Sequence, residues 1–301
     1  MSQTSHTPTA GGDHPRPSGA VQGPQRRLRL AAYPSLLAMP ALLLLIAAMG
    51  YPLLTVTLRS FSDPAWGLQN YVWFFSTPVN VTVLWRTFSI AAWVTIVCVI
   101  AAYPYAYLMT AVGPRLRLVL ILCVLVPFWV SGVVRTLAWV ILLQDSGIIN
   151  SVIRLLGFDG VKLIRTQTGV VIGMAQVLLP FMILPLYSVM RGIDLRLVQA
   201  ARSLGARPAR AFLQIYLPLS LPGVFAGAII VFILSLGFYV TPALLGGTSN
   251  MMLAEMIAQT VQSLLNWGLG SAAAFVLLVV TMALYAIQLR LVGARRAGGG
   301  I

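Results

Sequence analysis

Charge is scarce in this chain: 9% of its 301 residues are Asp, Glu, Lys or Arg, and only six of those are acidic. With 59% hydrophobic residues, it cannot fold in water without exposing large apolar patches, so its solvent is lipid. The long apolar stretches hold no Asp or Glu at all; Asp145, Asp159 and Glu255 fall in the loops between them. That excludes a paired carboxylate for acid–base chemistry, and it disfavours proton-coupled transport, which needs a titrating group at membrane depth. Both histidines, His6 and His14, precede the first apolar stretch, which excludes an intramembrane serine–histidine dyad and a histidine-held metal. The two cysteines, Cys98 and Cys123, lie inside apolar stretches, where a small packing role outweighs a disulfide or metal site. No Gly-x-x-x-x-Gly-Lys-Ser/Thr phosphate loop occurs, so ATP, if it is used, is handled by another polypeptide. Nothing in the residues calls for a cofactor or a metal.

What the chain does have is six stretches near the roughly 20 apolar residues that a helix needs to cross a bilayer core about 30 Å thick. They are Leu36–Leu58, Phe88–Leu108, Leu118–Leu143, Val170–Met190, Val224–Leu245 and Ala272–Leu291. The fold class they predict is an all-α integral membrane protein with six transmembrane helices. Residues 1–30 read as a disordered basic tail, too poor in apolar side chains to offset the entropy of ordering. Residues 31–292 read as the membrane domain and 293–301 as a second tail. The first stretch is too long for the core of a secretory signal and reads as an uncleaved signal-anchor. No internal repeat doubles the six spans.

Arginine sets the expected topology, since loops rich in Lys and Arg stay cytoplasmic. With the N-terminus inside, the inner segments collect Arg26, Arg27, Arg29, Arg115, Arg117 and the group from Arg191 to Arg210, while the outer ones hold few. Both termini are therefore expected in the cytoplasm of a bacterial inner membrane. The net charge of +14 is then a topology signal suited to anionic lipid headgroups, and nucleic-acid binding is not needed to explain it. Trp66, Trp73, Trp85 and Trp267 fall near the outer boundaries, where aromatic belts form.

The inner loop from 194 to 218 stands apart. Asp194 can cap a short helix, Gly205 falls where a left-handed stop is cheapest, and Pro208 suits the first turn of a second helix. Pro218 and Pro222 should interrupt the helix beyond Tyr216, so that the chain turns before the fifth span. As bare residues this is also how a membrane-surface segment with snorkelling arginines looks. The pattern Gln199-Ala200-Ala201, three residues, Gly205, nine residues, then Ile215 and Leu217-Pro218 resembles the coupling loop of permease subunits in binding-protein-dependent ABC importers. Gln199 departs from it, standing where that family usually has Glu.

The resemblance covers about 260 residues and is closest in flavour to the spermidine/putrescine type. It is carried by Gly67-Leu68-Gln69-Asn70-Tyr71, Tyr103-Pro104-Tyr105-Ala106-Tyr107, Arg135-Thr136-Leu137-Ala138-Trp139, Gly147-Ile148-Ile149-Asn150, Leu179 to Tyr187 and Gly237 to Gly247. It implies a type I importer permease fold with cytoplasmic coupling helices, seated in a cleft of a cytoplasmic ATP-binding cassette dimer. It further implies a second six-span permease, expected to be a related but different chain, and a periplasmic solute-binding protein. The solute implied is a polyamine or similar small polar molecule; relatives of this type also move opines and phosphonates. A self-contained small-solute channel is the rival reading, and it leaves the coupling pattern unexplained.

Candidates for the path are few. Arg135 is the one charge deep within an apolar stretch, and two readings stand: outward snorkelling, or a gate or pore lining. Ser235, Tyr239 and Thr241 sit where Gly and Pro interrupt the fifth span and free backbone groups that need a polar cavity. Gln176 and Tyr187 could add polar surface from the fourth, and for each residue the competing role is a hydrogen bond between helices. In the last outer loop, Asn250 is placed to cap an apolar helix running to about Leu265.

Overall fold

The computed structural model describes residues 34–297, with side chains from 39 to 287. Both ends of the sequence, including the tail expected over residues 1–30, lie outside the described residues. Every regular element described is helical. Two compact units meet at Tyr51 and Pro52; helix α1 (Pro34–Ser62) runs from the first into the second. All the other elements belong to the second unit. They are α2 (Gln69–Ser76), α3 (Pro78–Ala111), α4 (Pro114–Leu125), α5 (Gly132–Leu143), α6 (Ile148–Leu155), α7 (Gln167–Arg191), α8 (Leu195–Ser203), α9 (Pro208–Ala211), α10 (Leu217–Leu236), α11 (Val240–Leu245), α12 (Leu253–Gln262) and α13 (Trp267–Ala297).

Among the described residues, six stretches are long and apolar enough to cross a membrane. The second begins ten residues earlier than expected, at Pro78, and the third and fifth depart most from their expected bounds, both around prolines. Leu118–Leu143 is not one helix: α4 stops at Leu125, Val126–Trp129 forms a 3-10 turn around Pro127, and Val130 and Ser131 are extended before α5 begins at Gly132. The third qualifying stretch runs instead over Gly132–Leu155, through α5 and α6. The fifth errs the other way. Pro218 and Pro222 do not break the chain; the crossing runs from Pro208 to Leu236. A π-helical turn at Phe212–Tyr216 widens the coil, and Pro218 falls in the first turn of α10, where no backbone N–H is required. The helix ends at Gly237, so the expected segment to Leu245 is a separate short helix, α11.

The core is built by α3, α7 and α10. Helix α7 is the most enclosed, with Met174, Leu178, Met182 and Leu186 all buried. Lipid tails are as apolar as leucine, so helices in a bilayer associate through close packing rather than through escape from water. Small residues permit that approach. Gly223 and Gly227, four apart on α10, face α7: a Cβ on Gly223 would lie 2.9 Å from Val189 Cβ, and one on Gly227 would lie 2.6 Å from Met182 Sδ. On another side of α7, a Cβ on Gly173 would lie 2.6 Å from Leu245 Cδ1 of α11. Cys98 is a buried free thiol whose Sγ points at the Ala175 carbonyl 3.5 Å away; Cys123 is an exposed free thiol.

Polar side chains hold the loops. The Asn70 amide donates to the carbonyls of Ser60 (3.0 Å) and Asp63 (2.8 Å), folding the chain after α1 onto α2. Asn150 does the same after α5: its Nδ2 donates to Gln144 O (3.1 Å), and its Oδ1 accepts from Val161 N (2.8 Å). These asparagines belong to the Gly67–Tyr71 and Gly147–Asn150 motifs, which makes the motifs loop clasps. Helix α12 starts later than expected, at Leu253, because Asn250 is engaged elsewhere. Its amide donates to Gly246 O and Arg165 O, each at 3.0 Å. The cap comes from α3, where buried Thr87 Oγ1 accepts from Leu253 N at 2.8 Å.

Candidate coupling loop and solute path

Helix α7 ends at Arg191, and Asp194 caps α8 by accepting from Arg196 N at 2.9 Å. At the far end Gly205 N donates to Arg202 O and Ala206 N to Ala201 O, both at 3.0 Å. These two bonds close the helix in the Schellman pattern, with the residue at the reversal in the left-handed region. Gly205 has φ +91°. Pro208 then opens α9, which passes through the π-helical turn into α10.

The loop presents no buried side chain on α8. Gln199, Ala200 and Gly205 are exposed and Ala201 is half-buried. Leu204 is 89% exposed and Leu213 56%, beside a groove of about 590 Å³ lined by Gly205, Arg207, Ala209, Arg210, Leu213 and Gln214. Ile215, Leu217 and Pro218 do not join that surface; they sit at the root of α10, with Ile215 and Leu217 half-buried.

That root is braced by four rings to which the sequence alone assigned no role. Phe212 and Tyr216 stack at 5.5 Å, and Tyr107 of α3 meets them edge-on at 5.7 and 5.3 Å. Tyr103 stands edge-on to Phe212 at 6.1 Å, and its hydroxyl lies 2.9 Å from Ser220 Oγ. The signal is present as two aromatic pairs at helical i, i+4 spacing. The π-helical turn that aims Phe212 and Tyr216 at the same neighbours is the part that spacing does not reveal. These contacts tie the root of the loop to α3 and to the start of α10.

The path candidates divide. Arg135 does not lie bare: its Nη1 donates to Pro127 O at 3.2 Å, and its guanidinium lies 6.0 Å from the Phe128 ring centroid. Phe128 in turn packs edge-on against Phe181 of α7 at 5.3 Å. Pro127 O, at the break between α4 and α5, thus accepts from both Val130 N at 3.3 Å and Arg135 Nη1, while Arg135 Nε is buried without a partner. Thr136 Oγ1 lies 3.2 Å from Thr241 Oγ1, joining α5 to α11, and Trp139 Nε1 donates to Gln176 Oε1 at 3.3 Å, joining α5 to α7. One turn of α5 therefore gathers Arg135, Gln176 and Thr241. Ser235 is buried and donates to Val231 O of its own helix at 2.7 Å, and Tyr187 packs against the core. Tyr239, at the break after α10, is 41% exposed. Among the described residues, no group of three His, Cys, Asp or Glu could hold a metal.

The model of the family described as binding-protein-dependent transport system inner membrane component matches residues 99–296. The chain belongs to this family. Its relatives include the spermidine/putrescine transport system permease protein PotB of Haemophilus influenzae, 33% identical over 74% of this chain and 78% of that one. PotB of Escherichia coli is 30% identical over 77% and 85%, and the inner membrane ABC transporter permease protein YdcU of the same organism is 31% identical over 72% and 73%. In fold, it is similar to a chain of a bacterial alginate ABC transporter solved with an alginate-pentasaccharide-bound periplasmic protein. The TM-score is 0.70, with 15% identity, over 92% of this chain and 98% of that one. As a binding-protein-dependent permease, the protein is a multi-pass component of the inner membrane, built on the all-α permease fold with six apolar crossings.

Proposed function

We propose that this permease is one half of the pathway of an ATP-driven importer for a polyamine of the spermidine or putrescine kind. The exposed α8–α9 loop, turned at Gly205 and braced on α3, is its coupling element. On this reading both termini are cytoplasmic, and α8 seats in a cleft of a separate ATPase dimer. A related second permease completes the pathway, and a periplasmic binding protein delivers the solute. The observation that carries the reading is the loop itself, with Leu204 and Leu213 exposed among Arg202, Arg207 and Arg210. Apolar anchors inside a charged rim are the anatomy of a protein interface. The substrate follows the relatives, which are named for spermidine and putrescine. Gln199 keeps hydrogen-bonding reach but gives up the charge of a glutamate, so the rim arginines supply the polar contacts to the ATPase.

No covalent chemistry falls to the spans. ATP-driven closure of the ATPase dimer pulls on the loop, the four-ring root passes the displacement to α3 and α10, and the central helices part on the outer side. The test is gentle purification of the tagged chain from its own cells, with mass spectrometry of everything that stays bound, alongside uptake of labelled spermidine. The expected result is an ATPase, a second permease, and uptake that unlabelled putrescine competes away. A chain that purifies alone, intact and repeatedly, overturns the proposal in favour of a self-contained channel.

A further inference from the structure

Helices α1, α10 and α13 leave between them a cavity of about 400 Å³, whose lining includes Pro52, Val56, Ile233, Phe275 and Leu278. No charged side chain lines it, and its two threonines are already engaged: Thr57 Oγ1 donates to Leu53 O and Thr281 Oγ1 to Leu277 O, each at 2.7 Å. Such a wall suits hydrocarbon and offers little to a polyamine.

Depth narrows the choice. Helix α1 ends at Ser62 and α13 begins at Trp267, and a Cβ on Gly268 would meet Asp63 O, which sets these two helix ends side by side. At a rise of about 1.5 Å per residue, Pro52 and Leu278 each lie roughly 15 Å below that level. This is one leaflet's share of a hydrocarbon core about 30 Å thick. The cavity is therefore as deep as a single acyl chain needs and no deeper.

A cation stands above it. Arg59 follows Pro52 and Val56 on the same face of α1, at the i, i+4, i+7 spacing. It is exposed, and its guanidinium lies 5.0 Å from the centroid of the Trp267 ring. A tryptophan at a helix end marks the headgroup level. The ring contact takes no N–H from the guanidinium, so its donors remain for a phosphate, an acceptor that arginine binds with charge-assisted hydrogen bonds.

We propose that this is a phospholipid site, with one acyl chain in the cavity and the lipid phosphate on Arg59. On the topology proposed above the lipid belongs to the outer leaflet; only that leaflet assignment rests on the importer reading. The chain wedges α1 against α10 and α13 where protein packing leaves a gap.

The test uses the chain purified from its own cells in mild detergent, with whatever stays bound to it. Phosphatidylglycerol carrying a diazirine on one acyl chain is titrated in and illuminated. Saturable adducts are expected within residues 52–57 and 274–281. Arg59→Gln is expected to raise the half-saturating lipid concentration about tenfold, the loss of a charge-assisted hydrogen bond, with Arg59→Lys restoring most of it. A diacylglycerol of the same chains, which lacks the phosphate, should compete correspondingly worse. Ala274→Phe, which projects a ring into the cavity, should abolish these adducts. Labelling spread evenly over the exposed helix faces overturns the proposal, as does an unchanged half-saturation in Arg59→Gln. So does a benzoylphenylalanine at Leu53 that crosslinks in cells to a second permease, since that chain would then fill the gap. The site needs no ATPase, so a chain that purifies without one sinks the importer reading and leaves the lipid titration readable.

Discussion

Replacing Gly205 by valine perturbs one backbone torsion and nothing else. No atom lies within 4 Å of where a Cβ would stand, so the new side chain meets open space and the whole penalty comes from φ +91°. For an L-residue the left-handed region costs about 1–2 kcal/mol, and a β-branched side chain falls at the upper end of that range or beyond it. A cost of that size lowers the population of the native junction by a factor of about 5 to 30. The two closing bonds, Gly205 N to Arg202 O and Ala206 N to Ala201 O, are the ones given up when the junction relaxes. Because α8 fully buries no side chain and only its Val198 packs against the core, the spans depend on it little, and the protein should still insert. The assay compares labelled spermidine uptake with ATP hydrolysis at matched membrane abundance across Gly205→Asn, Gly205→Ala and Gly205→Val. Asparagine tolerates the left-handed region best among these replacements, so uptake is expected to fall in the order Asn, Ala, Val, while hydrolysis persists. Wild-type uptake by Gly205→Val at equal abundance refutes the reasoning; so does loss of insertion, which would give the loop a role in folding.

Two further outcomes are expected. Glu255, in the first turn of α12, has its pKa raised above the ordinary carboxylate value by burial, opposed by a hydrogen bond from the Met252 backbone. A raised acid binds more protons folded than unfolded, so stability falls as pH climbs through the window above 4.5, the unperturbed value. Glu255→Gln should therefore melt higher than the wild type at neutral pH, with the gap closing below that value; a gap unchanged with pH would contradict the cause given. Gly227→Leu forces a side chain into Met182 at the α7–α10 contact, which overpacking makes about 1–3 kcal/mol less stable. A lower melting temperature in detergent is expected, with Gly227→Ala intermediate because the flexible Met182 thioether can yield.

How much of the molecule is legible in its sequence depends on whether a residue acts through composition or through partners. Six crossings, the Gly205 turn and the Pro208 helix start follow from chain-local rules, and the structure reproduces them. Proline misleads in both directions, because its effect depends on register. Pro127 breaks a crossing expected to be continuous, while Pro218, one residue into α10 after a π-helical turn, breaks nothing. Asn250 misleads for a related reason: a good capping residue is already claimed by the carbonyls of Gly246 and Arg165, the second of them 85 residues away. Thr87 is beyond the reach of any local rule, since it caps a helix that starts 166 residues later.

The motifs that carry the family resemblance prove to be joints. Asn70 and Asn150 clasp loops, Arg135 covers the carbonyl at a helix break, Thr136 and Trp139 bind α5 to its neighbours, and Tyr103 and Tyr107 brace the coupling root. A joint is under the same mechanical demand whatever solute passes, so such residues report the chassis and not the cargo. On the proposed function, any solute preference of this chain falls to side chains with no joint to hold. Tyr239, 41% exposed at the break after α10, is the path candidate that fits that description, whereas Gln176, Ser235 and Thr241 already commit hydrogen bonds within the fold.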